Sequence, residues 1–203
     1  MKKSILAILL AICLLLPVVG YSKTGAERML QGIVGGSVAG AAPQAADYFG
    51  YNQIGLSSYI DGTPRWEKNK GYSTGYICPG TGTRTVDMLE QYSSGYYGTY
   101  AVKIALYTTG DMLVCQTNNF NVTEATPAWY GAAPNAVCHC TGGTSYRLAM
   151  SSYNTYMYYN SGSSGDSGIG TDDYVTAAFP GSIGAGADND SIFSMRAHVA
   201  AIP

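Results

Sequence analysis

The chain has 203 residues, a formal net charge of −2 and only 12% charged residues. That balance excludes the basic stripe of a nucleic-acid binder, and the length suits one domain with a full core rather than a disulfide-dependent miniprotein. With 26 Gly and 18 Tyr, the surface has to rest on Ser, Thr, Asn, Gly and tyrosine hydroxyls, as in many exported β-proteins.

Taken in chain order, Lys2 and Lys3 precede an apolar run from Ile5 to Val19, and small residues follow at Gly20 and Ser22. This is the order of a secretory signal peptide, with cleavage expected after Ser22. The run is shorter than the ~20 residues of a bilayer-spanning helix, which favours a cleaved signal over a membrane anchor. Cys13 has no small residues directly before it, so a lipoprotein signal is disfavoured. The expected product is secreted, in the extracellular space, on the cell surface or in the periplasm, with no membrane association after cleavage. Residues 23–46 read as a flexible leader, because Gly32, Gly35, Gly36, Gly40 and Pro43 break any longer helix. Such a leader serves as a tether, or packs on a neighbouring copy by self-association.

From Asp47 to the end the pattern is strands and turns. Val102, Ile104 and Leu106 alternate with Ala101, Lys103 and Ala105, the period of a strand with one buried face. The turn at 108–111 and the return over 112–117 predict a hairpin. Residues 144–150 and 191–199 alternate in the same way, the second with Phe193, Met195, Ala197 and Val199 on one face and Arg196 and His198 on the other. The fold class expected is an all-β antiparallel sandwich over residues 47–203.

Three stretches occur in a distinctive order: Ile104-Ala105-Leu106-Tyr107, then Trp129, then the strand from Thr141 through Gly142, Gly143, Thr144 and Tyr146 to Ala149. In that order they resemble the jelly-roll modules of bacterial and phage surface proteins, which are similar in fold to carbohydrate-binding modules. The resemblance spans nearly everything after Asp47. It implies a jelly-roll architecture and brings no site motif to carry over.

Cys78, Cys115, Cys138 and Cys140 follow the signal. Haem attachment needs two residues between the cysteines and a His after them, which Cys138-His139-Cys140 does not supply. A zinc or copper site would need His139 on the side of the thiols, whereas a strand points it the other way. In an exported chain four cysteines oxidise, and residues two apart in a strand bridge poorly. Cys78 and Cys115 are therefore expected to pair with Cys138 and Cys140, in either order.

No GxSxG nucleophile accompanies His139 or His198. Asp172, Asp173, Asp188 and Asp190 lie in Gly-rich turn sequence, where Asp is expected for backbone reasons. These carboxylates could also hold a structural Ca²⁺, although their spacing matches no strict loop pattern. The chain reads as a non-enzyme without an obligatory cofactor. The stretch 153–160 is the recognition candidate. As a strand it places Tyr156 and Tyr158 on one face with Asn154 and Asn160, rings to stack on sugar C–H faces and amides to bond hydroxyls. Trp66, in a polar setting, is the exposed tryptophan expected to join them, while Trp129 is expected as core or rim packing. The expected function is a secreted, non-catalytic module that binds glycan or cell-surface polymer. The alternative is a structural subunit of an extracellular assembly held through residues 23–46.

Overall fold

Where apolar and polar residues alternate, the backbone extends and the apolar set turns inward. The computed structural model describes residues 47–60, 65–69, 76–123, 126–163, 167–184 and 186–201, and the expected signal peptide and leader lie outside them. The strands in chain order are β1 (Asp47–Gly50), β2 (Ser57–Ile60), β3 (Arg65–Asn69), β4 (Tyr76–Ile77), β5 (Thr83–Gly95), β6 (Tyr100–Thr108), β7 (Leu113–Gln116) and β8 (Phe120–Val122). They continue with β9 (Ala128–Ala132), β10 (His139–Thr141), β11 (Ser145–Ser152), β12 (Thr155–Ser161), β13 (Ser167–Gly170), β14 (Ala187–Asn189), β15 (Ser191–Phe193) and β16 (Met195–Val199).

These strands form two antiparallel sheets. The first runs β1-β16-β5-β12-β15, with β9 and β10 also on β5 and β2 on β12. The second runs β14-β13-β3-β11-β6-β7, with β4 on β11 and β8 on β6. Their inner faces meet in one apolar core that includes Leu89 and Val86 of β5, Val102, Ile104 and Leu106 of β6, Leu148 and Met150 of β11, Met157 of β12, and Met195, Ala197 and Val199 of β16.

The strand and hairpin expected over 101–117 form as β6 and β7, and 144–150 forms the body of β11. The stretch 191–199 is divided: β15 and β16 flank Ser194, whose backbone N–H bonds Tyr158 O at 2.9 Å. Alternation also slips in β5. Met88 faces His198 while Val86 faces Val199, so Asp87 is an extra residue. This bulge puts both Asp87 and Met88 at the surface.

The second sheet has two buried faces, which the alternation in β6 did not foretell. Its outer face is covered by residues 172–183, whose Tyr174, Phe179 and Ile183 pack with Trp66, Ala105, Tyr107 and Ala149. Hydrogen bonds fasten this cover: Tyr107 Oη donates to Pro180 O at 2.9 Å, Lys103 Nζ to Ala177 O at 2.7 Å, and Leu113 N to Gly181 O at 2.8 Å. Burial pushes the Tyr107 phenol upward, with Tyr174 and Asp111 adding to it, and burial together with Asp172 pushes that of Tyr174 up to about 12. Both phenols therefore stay protonated at neutral pH and donate. Gly170 lies so close to the Trp66 indole that a Cβ there would overlap the ring.

Two disulfides, Cys78–Cys140 and Cys115–Cys138, connect the sheets. Cys138 and Cys140 share the inward side of β10 and the residue before it, and all four cysteines are buried. Cys140 reaches the residue after β4, and Cys138 reaches β7, both in the second sheet. His139, between them, is exposed. The bridges are compatible with an extracellular or secreted protein.

The longer cross-link closes 62 residues and the shorter 23. Chain-entropy arguments then give about 4 and about 3 kcal/mol of stabilisation respectively. Urea unfolding of Cys78→Ser/Cys140→Ser and Cys115→Ser/Cys138→Ser variants should show the first as the more destabilised. The reverse order would contradict the entropic account.

Glu67 of β3 is fully buried and sits opposite Met150 of β11, on the inner side of the sheet. Desolvation raises its carboxyl well above 4.5. As pH rises past about 4.5, the unfolded chain releases this proton while the folded chain keeps it, so the folded state loses stability with rising pH. A Glu67→Gln variant should therefore gain on the wild type in thermal denaturation as pH is raised from about 4 to about 7. A difference that is flat or shrinks over that range would contradict this.

Candidate binding face on the first sheet

With the outer side of the second sheet covered by the 172–183 segment, the outer side of the first is the broad aromatic surface among the described residues. Strand parity builds it. Glu90, Tyr92 and Ser94 face outward from β5, opposite to Leu89, Gln91 and Ser93, and Tyr156 and Tyr158 face outward from β12, opposite to Met157 and Tyr159. Register then sets neighbours: Tyr92 pairs with Trp129 of β9, and Tyr156 with Ser94.

The result is a row of rings in two contacting groups. Tyr48 lies 4.8 Å from the His198 ring. The Arg196 guanidinium carbon sits 4.2 Å from the Tyr48 centroid and 4.0 Å from that of Trp129. Trp129 meets Tyr92 at 5.6 Å, and Tyr92 meets Tyr158 at 5.2 Å. Beyond them Tyr156 meets Tyr96 at 5.6 Å, and Tyr96 meets Tyr97 at 4.5 Å.

The two ends of this row differ in chemistry. At one end Arg196 is engaged on several sides: Nε donates to Glu90 Oε2 at 2.7 Å, Nη1 donates to Asn52 Oδ1 at 2.6 Å, and two rings cover its faces. His198 is likewise paired with Asp87. This end is closed on itself, and its half-buried ion pair holds Trp129 against Tyr92.

The other end is open. Ser58, Ser94, Gly95, Tyr96, Tyr97, Thr126, Pro127, Tyr156 and Tyr158 line a cavity of about 510 Å³, within the usual size range of small-ligand sites. No charged side chain is among these lining residues. Tyr97 is 75% exposed and takes a φ of 51°, the left-handed region that a bulky residue rarely occupies. Desolvation raises the Tyr156 phenol, and the hydroxyls of Tyr96, Tyr97 and Tyr158 raise it further. The phenols present donor and acceptor together, as a hydroxylated ligand requires.

The sequence candidates separate on this map. Tyr156 and Tyr158 come together in the cavity. Asn154 is not on the strand face: it occupies the turn before β12 at a φ of 51°, and its backbone carbonyl accepts from Tyr96 N at 2.9 Å, so it supports the rim. Asn160 faces outward with the tyrosines, but its amide is spent within the protein. Its Oδ1 accepts from Leu56 N at 2.9 Å and its Nδ2 donates to Tyr51 Oη at 2.7 Å. Trp66, expected to be exposed, is 4% exposed on the opposite sheet, with Nε1 donating to Asp172 Oδ2 at 3.3 Å. The polar letters around it lie along a strand whose outer side the 172–183 segment covers, which local sequence could not reveal. Trp129 packs half-buried on the rim of the aromatic row, as expected.

Asp172 is taken up by Trp66 and Tyr174, and Asp173 caps the following turn through Val175 N, Thr176 N and Thr176 Oγ1. Among the described residues no three His, Cys, Asp or Glu side chains gather as a metal site. Sequence pattern alone does not single out Ser58, Ser94, Gly95, Tyr96, Tyr97, Thr126 or Pro127. The adjacent Tyr96 and Tyr97, followed by Gly98 at the end of a strand-like run, are the one local signal that could have exposed them.

No protein-family model matches the chain, and no curated protein sequence matches it.

Proposed function

We propose that this protein is an exported, non-catalytic recognition module of jelly-roll type, which binds glycan or cell-surface polymer through the outer face of its first sheet. One observation carries the reading: a cavity of about 510 Å³ walled by Tyr96, Tyr97, Tyr156 and Tyr158, with no charged side chain among its described lining residues, on a face with no described cover. Tyrosine rings offer apolar area at low entropic cost, and their hydroxyls exchange hydrogen bonds with a polyol. The likeness in sequence order to surface-protein jelly rolls and carbohydrate-binding modules points the same way, as do the two disulfides for export.

Catalysis has less support. All four described cysteines are disulfide-bonded, His198 is engaged by Asp87, and neither a carboxylate nor an imidazole is among the described lining residues. The other reading, a subunit held in an assembly by residues 23–46, depends on a segment outside the described residues.

The test is a glycan and polysaccharide binding screen of the purified protein beside a Tyr156→Ala/Tyr158→Ala variant. The variant should lose tenfold or more in affinity, equivalent to about 1.4 kcal/mol or more, while its cooperative unfolding persists. Equal binding by both proteins would remove the cavity as the site, and no binding to any saccharide would overturn the reading.

A further inference from the structure

Resting on that reading, the shape and charge of the cavity narrow the ligand. We propose that it takes a short, neutral stretch of a single soluble glycan chain, and rejects both anionic glycans and flat polysaccharide surfaces.

The tilt of the rings disfavours a flat surface. A layer of packed polysaccharide chains is held by ring faces lying in one plane. Here Tyr92 and Tyr158 are inclined at 77°, Tyr96 and Tyr156 at 76°, and Tyr96 and Tyr97 at 62°. No plane passes along this set of faces. Crossed rings instead make walls, which can touch one sugar from more than one side. Tyr97, standing out from the surface in its left-handed conformation, would also obstruct a plane pressed on the face.

Electrostatics disfavours an anionic glycan. The described lining supplies hydroxyls, rings and small side chains, and no cation is among these residues. Arg196, a cation of this face, is committed to Glu90 and Asn52 and enclosed by Tyr48 and Trp129. Moving a carboxylate or sulfate from water to an apolar wall without a partner costs several kcal/mol, and the net charge of −2 gives no long-range attraction to offset it. A neutral sugar bears no such penalty. The limited volume holds a short stretch, so chain length beyond the cavity should add little affinity.

Calorimetric titration with three sets of probes tests this. These are neutral gluco-, galacto- and manno-oligosaccharides of two to six units, uronate- and sulfate-bearing oligosaccharides of the same lengths, and suspended cellulose and chitin in a sedimentation assay. A neutral set should bind with affinity that levels off within the first few units and changes less than about twofold when salt is raised, since no exposed ion pair is involved. Anionic counterparts should bind at least tenfold more weakly, and the suspended polymers should not sediment the protein. A Tyr97→Ala variant, altered at an exposed position outside the core, should lose affinity for the neutral set while its melting temperature stays unchanged. Preferential binding of the anionic set, or retention only on the insoluble polymers, would overturn this inference and leave the recognition reading in place. Failure of every saccharide would overturn both.

Discussion

The structure depends on the way β10 is anchored. Three residues of strand are few to hold a position by ladder bonds alone: β10 pairs with Thr83, Arg84 and Thr85 of β5, and one backbone bond flanks each end, from Val86 N to Cys138 O and from Gly142 N to Gly82 O. What fixes it is sulfur: Cys138 and Cys140 point into the core and are bonded to two different places in the opposite sheet. Arg84, fully buried opposite Cys140, adds a third tie by donating to Pro79 O at 3.3 Å and Ala200 O at 2.9 Å. The start of β5 is thereby joined to the segment after β4 and to the chain just beyond β16. From there β5 runs the length of the first sheet and carries Glu90, Tyr92 and Ser94 to the outer surface before it turns at Tyr96 and Tyr97.

An asymmetry follows between the two outer faces. The segment from 172 to 183 spends its apolar side chains on the second sheet, burying Trp66 and Tyr107 and leaving that side as a second small core. The first sheet keeps its aromatic residues half-exposed. They are not loose. Arg196 fills the space between Tyr48 and Trp129 and is neutralised by Glu90, whose side chain lies where a Cβ at position 131 would collide with it. Gly131 is thus required for the close approach of β9 to β5 at this point. The closed end of the row braces Tyr92 and Tyr158, and the open end has rings and hydroxyls held in place with nothing described on top of them.

Much of the fold was legible where one rule acted alone. Alternation located β6, β7, β11 and the β15–β16 pair because the inter-sheet core selects one parity in each. It failed where another constraint intervened, as at the Asp87 bulge and at Ser194, which divides the last run. The cysteine pattern is legible through geometry that any strand obeys, the same-side placement of residues two apart, while the choice between two pairings belongs to the topology. The site was half legible. Tyr156 and Tyr158 could be placed on one face from period two, but Asn160 and Trp66 could not be judged, because their roles depend on residues 104 and 106 positions away in the chain. Local polarity says nothing about such partners. Tyr96 and Tyr97 enter the cavity through a turn whose left-handed φ no periodicity encodes.

The claim that joins these observations is that the tyrosine cavity is open in the folded, disulfide-bonded protein. Hydroxyl-radical footprinting of the purified protein, read residue by residue by mass spectrometry, measures this without any ligand. The account predicts rapid oxidation of Tyr97, with Tyr96, Tyr156 and Tyr158 also modified, while Trp66 and Tyr107 stay protected until the protein is denatured. Protection of all four cavity tyrosines in the native protein would mean that the face is covered, and would contradict the account.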